Sequence, residues 1–439
     1  MRSCNALKVL LFPAAICLSL ACAADPESTV WTSPEPGKAP EGSPVALHGQ
    51  LRVATTSVTS AGGLGAGGAD LGIDAGDLGG DQGMDGGDHG MDGGFTSIDG
   101  GITGLDGGKP SADGGKSSAD AATQSVLSQL VDQHGVPFQL KGVSSHWLAW
   151  EIKRFAESKK ALQFMRDNWK LSVIRASMGT EASGGYLTSP GAMKSQVESI
   201  IQNAIMLGVY VLVDWHTEAA VNQQDAAIVF FKEMATKYGA YPNVIWEPYN
   251  EPNGFGWSQI KPYHQAVVDA IRTVDPDNLI VLGTPNWSQR VDQAAADPVV
   301  GTNLLYTLHW YSCTHGQSFR AYGDNAIARG IALFVTEYGA TFADGGVPSN
   351  HDYVCEDETN LWYAWMSKNN ISGVAWKLEQ CSDSSCILGS TAGVDGPWTD
   401  DRLSTNVGGA LYTGALGGGV SGTAHRGGHG LFIVNWLRQ

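Results

Sequence analysis

The sequence predicts a (β/α)8 (TIM) barrel of the α/β class. Three observations lead there: between residues 125 and 413 short runs alternate with longer amphipathic ones, eight of the short runs occur, and each reads as nearly all apolar. A strand buried on both faces has no solvent side to alternate with, so continuous apolarity marks a parallel sheet covered by helices, and eight such units close into a barrel. A doubly wound open sheet is the competing arrangement, but no G-x-G-x-x-G turn follows the first run.

The strands are expected at 138–143, 172–176, 209–214, 244–249, 279–283, 304–310, 332–337 and 373–377. Amphipathic segments at 159–169, 193–207, 225–238, 260–274 and 360–369 supply helices between them.

The 439 residues carry 27 Lys and Arg against 44 Asp and Glu, a net charge of -17. The acids are uneven: residues 25–124 hold fifteen against four bases, a net of -11, and residues 125–439 hold twenty-nine against twenty-one, a net of -8. Neither part has a surplus of cations to neutralise phosphates, which argues against nucleic acid and against an anionic membrane as partners.

At the N-terminus Arg2 and Lys8 precede an apolar run of thirteen residues, 9–21, shorter than the roughly 20 that span a bilayer. Residues 1–23 are therefore expected to be a secretory signal peptide. Ala21-Cys22-Ala23 fits ordinary cleavage, whereas Ser19-Leu20-Ala21-Cys22 resembles a lipoprotein box that would end the signal at 21 and put a lipid anchor on Cys22; both readings stay open. Residues 24–124 are expected to form a disordered, acidic, Gly-rich linker. Of the 57 glycines 22 lie between 62 and 115, in units such as Met84-Asp85-Gly86-Gly87 and Leu105-Asp106-Gly107-Gly108, with too little apolar area to offset the ordering entropy. Their drifting spacing speaks against a calcium-bound repeat. The tail 414–439 receives no role.

Four cysteines remain in the folded part, Cys313, Cys355, Cys381 and Cys386. An even number in an exported chain points to disulfides with three possible pairings; the short Cys381–Cys386 spacing is favoured, leaving Cys313–Cys355. No C-x-x-C or nearby His pair suggests zinc, and no metal is expected.

In a barrel of this kind function belongs at the C-terminal ends of the strands. Those ends carry His146 and Trp150, Arg175, Asp214 with His216, Asn250 with Glu251, Trp287, His309 with Tyr311, Glu337, and Trp376. Two carboxylates facing one pocket, one protonated and one ionised, are what acid/base hydrolysis of a glycosidic bond needs, and flat aromatic rings suit the C–H faces of sugars. Glu247 lies four residues before Glu251, about 13 Å deeper at roughly 3.3 Å per residue, and is expected to be paired inside the barrel. Asp214 is expected to be a hydrogen-bonding support, and Glu181 and Glu218 to be solvated loop residues.

Asn250-Glu251-Pro252-Asn253, Val335-Thr336-Glu337-Tyr338-Gly339, Val213-Asp214-Trp215-His216 and Leu308-His309-Trp310-Tyr311 resemble glycoside hydrolase family 5, in its bacterial endoglucanase (cellulase) branch. The resemblance implies that Glu251 is the general acid/base and Glu337 the nucleophile. It further implies that Asn250 bonds the sugar 2-hydroxyl, that His309 and Tyr311 position the two carboxylates, and that Arg175 and His216 hold Glu337 ionised. Trp376 would form the floor of the central sugar site, with His146, Trp150 and Trp287 lining its flanks. Net retention, with the carboxyls about 5 to 5.5 Å apart, is then expected. Two positions depart from the family: Gly179 stands where relatives commonly carry a Tyr, and Cys381 where they carry a sugar-binding Lys, so a disulfide-closed loop is expected to rebuild that subsite.

The function so implied is a secreted endo-β-1,4-glucanase, extracellular or at the cell surface, monomeric, without cofactor, acting on a β-glucan polysaccharide. A β-mannanase or xyloglucanase on the same barrel is the alternative. A non-catalytic carbohydrate-binding protein would be expected to lack one of the two glutamates.

Overall fold

A computed structural model describes residues 33–59, 124–150, 153–181, 183–345, 351–381 and 383–439. The expected signal peptide, Cys22 and most of the expected linker lie outside the described residues.

Eight parallel strands form the sheet: β1 Lys141–Ser145, β2 Val173–Gly179, β3 Tyr210–His216, β4 Val244–Glu247, β5 Ile280–Leu282, β6 in two pieces at Leu304–Tyr306 and Trp310–Tyr311, β7 Phe334–Gly339 and β8 Ser372–Leu378. Neighbours in the chain are neighbours in the sheet from β1 to β6. The ring closes on both sides of β7 and β8, through Tyr306–Leu333, Tyr338–Trp310 and Gly373–Lys141. Helices Lys159–Phe164, Pro190–Leu207, Gln224–Tyr238, Trp257–Arg272, Val291–Ala296, Gln317–Ala328 and Glu356–Lys368 fill the successive crossovers.

Every described side chain of β2, β3, β7 and β8 is buried, as strands sealed on both faces require. Outward residues such as Ile174, Val211 and Val335 pack under the helices. Inward ones, Val173, Leu212, Ile245, Val281, Leu305, Phe334 and Val374, fill the lower half of the barrel. β6 breaks at Thr307–His309 because the backbone there turns to β5 and its loop, Thr307 N–H donating to Leu282 at 3.0 Å and His309 N–H to Ser288 at 2.8 Å.

The structure differs from the expected boundaries at both ends. Residues 33–59, inside the range assigned to the linker, include a helix Pro44–His48 with Ser43 as its N-cap and a strand Arg52–Thr59 paired with Gln124–Val131. Val45 and Leu51 join the cluster that fills the lower barrel, and the Tyr210 hydroxyl donates to the Gly49 carbonyl at 2.6 Å. An open barrel end would leave that apolar layer wet, and this segment covers it.

The tail is likewise part of the domain. Gly430–Leu437 is the eighth barrel helix. Trp436 lies flat on Tyr363 with ring centres 4.4 Å apart, and the Lys141 ammonium stands 4.6 Å from the Trp436 ring centre. Between β8 and this helix, Asn406–Leu411 and His425–Gly427 form an antiparallel sheet with Tyr353–Val354. Trp436→Ala is expected to cost about 3–5 kcal/mol of stability, read by urea unfolding. An unchanged midpoint would mean that this helix is not part of the folding unit.

Candidate active site

Alternation along β2 turns Val173, Arg175 and Ser177 inward, and Arg175 rises above the apolar layer as a fully buried guanidinium. Its Nε donates to Glu247 Oε2 at 2.8 Å, one terminal nitrogen lies 2.9 Å from Asp214 Oδ2 and 2.6 Å from Asn250 Oδ1, and the other donates to Glu337 Oε2 at 3.0 Å. Burying a cation is tolerable only with such pairing. Against burial, which works the other way, Asp214, Glu247 and Glu337 hold Arg175 charged. Burial pushes Glu247 up to about 7 and Asp214 up to about 8, each opposed by Arg175.

Glu337 owes its orientation to an irregularity. Phe334 and Thr336 face inward on β7, so strict alternation would turn Glu337 toward the helices. The register with β8 slips between Val335 and Tyr338, and this bulge lets consecutive Thr336 and Glu337 both point into the barrel while Tyr338 packs outside on Trp310. Glu337 Oε1 accepts from the Tyr311 hydroxyl at 2.7 Å. Both Glu337 oxygens thus accept a hydrogen bond, which fixes the direction of the carboxyl.

Glu251 stands beyond the end of β4, where the chain runs on beside β3, its N–H donating to Thr217 at 3.3 Å. Glu251 Oε1 is 2.9 Å from His309 Nδ1. Burial pushes the Glu251 carboxyl up to about 8 against the pull of Arg175, and pushes His309 down to about 4, so the imidazole is neutral. One carboxylate oxygen from each of Glu251 and Glu337, with a ring nitrogen of His309, lie within 4.8 Å of one another. Oxygens that close suit a double displacement, in which the two carboxyls stand about 5–5.5 Å apart.

The cleft over these groups is lined by His146, Trp150, His216, Asn250, Tyr311 and Trp376, as the strand ends implied. It continues past Glu251 to Trp287 and Gln289. Trp287 is presented by three consecutive left-handed residues, Asn286, Trp287 and Ser288, at φ of 57°, 53° and 55°. The Ser288 hydroxyl fastens this costly turn to the Asn250 carbonyl at 2.7 Å.

Some sequence expectations need correction. His216, expected to help hold Glu337 ionised, faces Glu337 electrostatically, bonds Asp214 Oδ2 through Nδ1 at 2.7 Å and lies parallel to Trp376, 5.5 Å between centres. Glu181 and Glu218 are not merely solvated loop residues: both line the cleft, Glu181 accepting from Thr217 and Gln223, and Glu218 from Asn253 at 2.8 Å. Sequence reading also missed Trp147, stacked on Trp150 with centres 4.2 Å apart, and Lys377, which borders the cleft and pairs with Asp383 at 3.2 Å. The His146-Trp147 adjacency was a usable signal for the first. At Gly179 an added Cβ would meet only Ala149 Cβ, at 3.5 Å, so the site has room where relatives carry a larger residue. The cysteines pair as Cys313–Cys355 and Cys381–Cys386, which leaves neither sulfur of the Cys381-Asp383-Cys386 group for a metal.

A (β/α)8 barrel with paired glutamates among aromatic rings at its C-terminal mouth is an arrangement found in glycoside hydrolases. Residues 131–382 match the family model described as cellulase, glycosyl hydrolase family 5, and the chain belongs to that family. It is 43% identical over 284 residues to an endoglucanase of Clostridium saccharobutylicum, covering 64% of this chain and 62% of the relative. It is 47% identical over 230 residues to endoglucanase Z of Dickeya dadantii, covering 52% and 53% respectively. The chain therefore spans little more than half the length of these curated relatives. The solved catalytic domain of a Thermobifida fusca endoglucanase superposes with a TM-score of 0.60 at 27% identity, over 71% of this chain and 95% of that one.

A Cβ on Gly339 would stand 2.8 Å from the Tyr311 ring and displace it from Glu337. Gly339→Ala is expected to lower turnover on a scissile glycoside roughly ten- to a hundredfold, the factor that goes with a lost charged hydrogen bond of about 1.5–3 kcal/mol. Unchanged turnover in a variant with wild-type unfolding would show that the Tyr311 contact does not matter.

Proposed function

We propose that the protein is a retaining endo-β-1,4-glucanase that hydrolyses internal bonds of cellulose or related β-glucans. The observation that carries the reading is the Glu251–Glu337 pair, held within 4.8 Å at the centre of an aromatic-lined cleft. Glu337, oriented by Arg175 and Tyr311, attacks the anomeric carbon while Glu251 gives its proton to the leaving oxygen. Glu251, now ionised, then takes a proton from water as that water displaces Glu337, and configuration is retained. The Asn250 amide, whose oxygen accepts from Arg175, holds the 2-hydroxyl of the sugar under attack.

The family and the names of its relatives support a β-glucan, as does the Thermobifida fusca endoglucanase structure in complex with cellotetraose. Aromatic platforms on both sides of the glutamates, Trp147, Trp150 and Trp376 on one and Trp287 on the other, favour cleavage within a chain over removal of an end. Export to the cell exterior, with or without a lipid on Cys22, and action as a monomer complete the proposal. The basic N-terminus followed by a short apolar run supports the export.

Reducing-sugar release is expected from carboxymethyl cellulose well above that from galactomannan or xyloglucan. Glu251→Gln and Glu337→Gln should each lower it at least about a hundredfold. Preference for galactomannan, or activity surviving either substitution, would refute the reading. Because Glu251 must enter protonated, and its carboxyl is pushed up to about 8, kcat/KM should fall as pH rises through about 8. A profile flat to pH 10 would contradict its role as acid.

A further inference from the structure

Thr336 is fully buried, one residue before Glu337, and outside the cleft lining. Its hydroxyl has three neighbours: Glu247 Oε1 at 2.5 Å, Thr307 Oγ1 at 2.8 Å and His309 Nε2 at 2.9 Å. A hydroxyl owns one proton and two lone pairs, so the roles can be counted out. With Glu247 ionised, the form its pairing with Arg175 favours, Thr336 donates to Glu247 Oε1, whose other oxygen already accepts from Arg175 Nε. Thr307 Oγ1 accepts from the Thr336 N–H at 3.1 Å, and its own proton goes to one Thr336 lone pair. The remaining lone pair meets His309 Nε2 and is satisfied only by an N–H.

His309 is a buried, neutral imidazole with a single N–H. With that proton on Nε2, Nδ1 is a lone pair facing Glu251 Oε1 at 2.9 Å. Two lone pairs repel, and the contact becomes a hydrogen bond only when Glu251 carries the proton. We propose that Thr336 is a positioning residue: by keeping the His309 proton on Nε2 it leaves Nδ1 as an acceptor and so holds Glu251 as the acid for the first step. The proposal rests on the reading of Glu251 as acid/base. It also accounts for the second step, because once its proton has gone to the leaving oxygen the Glu251 carboxylate faces that lone pair and is a stronger base toward water. The charged and titratable groups facing His309 are Glu251 beyond β4, Glu247 on β4, Arg175 on β2, His216 on β3, Glu337 on β7 and His315 after β6.

The direct test is 15N NMR of the full chain labelled at histidine, with His309 assigned by the loss of its signals in His309→Gln. A pyrrole-type Nε2 and a pyridine-type Nδ1 are expected near pH 8, above the value of about 7 to which burial pushes Glu247, and the reverse pattern overturns the proposal. The functional test is Thr336→Val, which removes the acceptor. The His309 proton can then move to Nδ1 and donate to a Glu251 carboxylate, favouring the ionised form. The basic limb of kcat/KM on carboxymethyl cellulose should move down by about one pH unit, with the change in kcat rather than KM, and Thr336→Ser should restore it. A limb unmoved in a folded Thr336→Val, or not restored by Ser, overturns the proposal. Should the Val variant not fold, the NMR pattern of the wild type decides. That readout needs no turnover, so absent glucan hydrolysis would fault the proposed function and leave the tautomer test intact.

Discussion

One buried cation organises the barrel mouth. Arg175 has no exposed surface and is ringed by Asp214 from β3, Glu247 from β4 and Glu337 from β7, with Asn250 as a fourth partner. A lone charge at that depth would be prohibitive, and so would three carboxylates without a cation. Each strand must therefore hold its register for any of these groups to be tolerable. The position of Glu337 is a property of the barrel core as much as of its own strand. A lysine could not replace the hub, because only the planar fork of a guanidinium meets several acceptors in fixed directions.

The barrel is layered by polarity along its axis. At the bottom Val45 and Leu51 from the N-terminal segment seal an apolar plug built from inward residues of the strands. Above it lies the buried polar layer of Arg175, Glu247, Thr336, Thr307 and His309. At the mouth stand Glu251, Glu337 and the aromatic rings. The middle layer connects the two glutamates by hydrogen bonds, from Glu251 through His309, Thr336, Glu247 and Arg175 to Glu337. Both glutamates are thereby referred to one rigid core, which fixes their separation and orientation.

Much of this was legible in the sequence, for reasons that can be named. Eight continuous apolar runs announced the barrel, and their C-terminal ends pointed to Arg175, Asn250, Glu251, His309, Tyr311 and Glu337. Spacing along β4 placed Glu247 in the interior, where it pairs with Arg175. What stayed hidden was not periodic. Residues 33–59 offer only isolated apolar positions such as Val45 and Leu51, whose value appears once there is a barrel end to cover. The eighth helix follows a glycine-rich stretch and lies 52 residues beyond the end of β8 by its numbering, from Leu378 to Gly430, so no crossover pattern announced it. The bulge at Glu337, the partner of His216 and the role of Thr336 depend on hydrogen-bond directions, which a one-dimensional pattern does not encode.

In the proposed mechanism Glu337 forms a covalent bond to sugar while Glu251 does not. Incubating the protein with a 2-deoxy-2-fluoro cellobioside that carries a good leaving group slows the second displacement and traps the intermediate for peptide mass spectrometry. One fluorocellobiosyl adduct is expected, on the peptide containing Glu337 and at that residue. An adduct on Glu251, or none while the leaving group is still released with inversion, would contradict it.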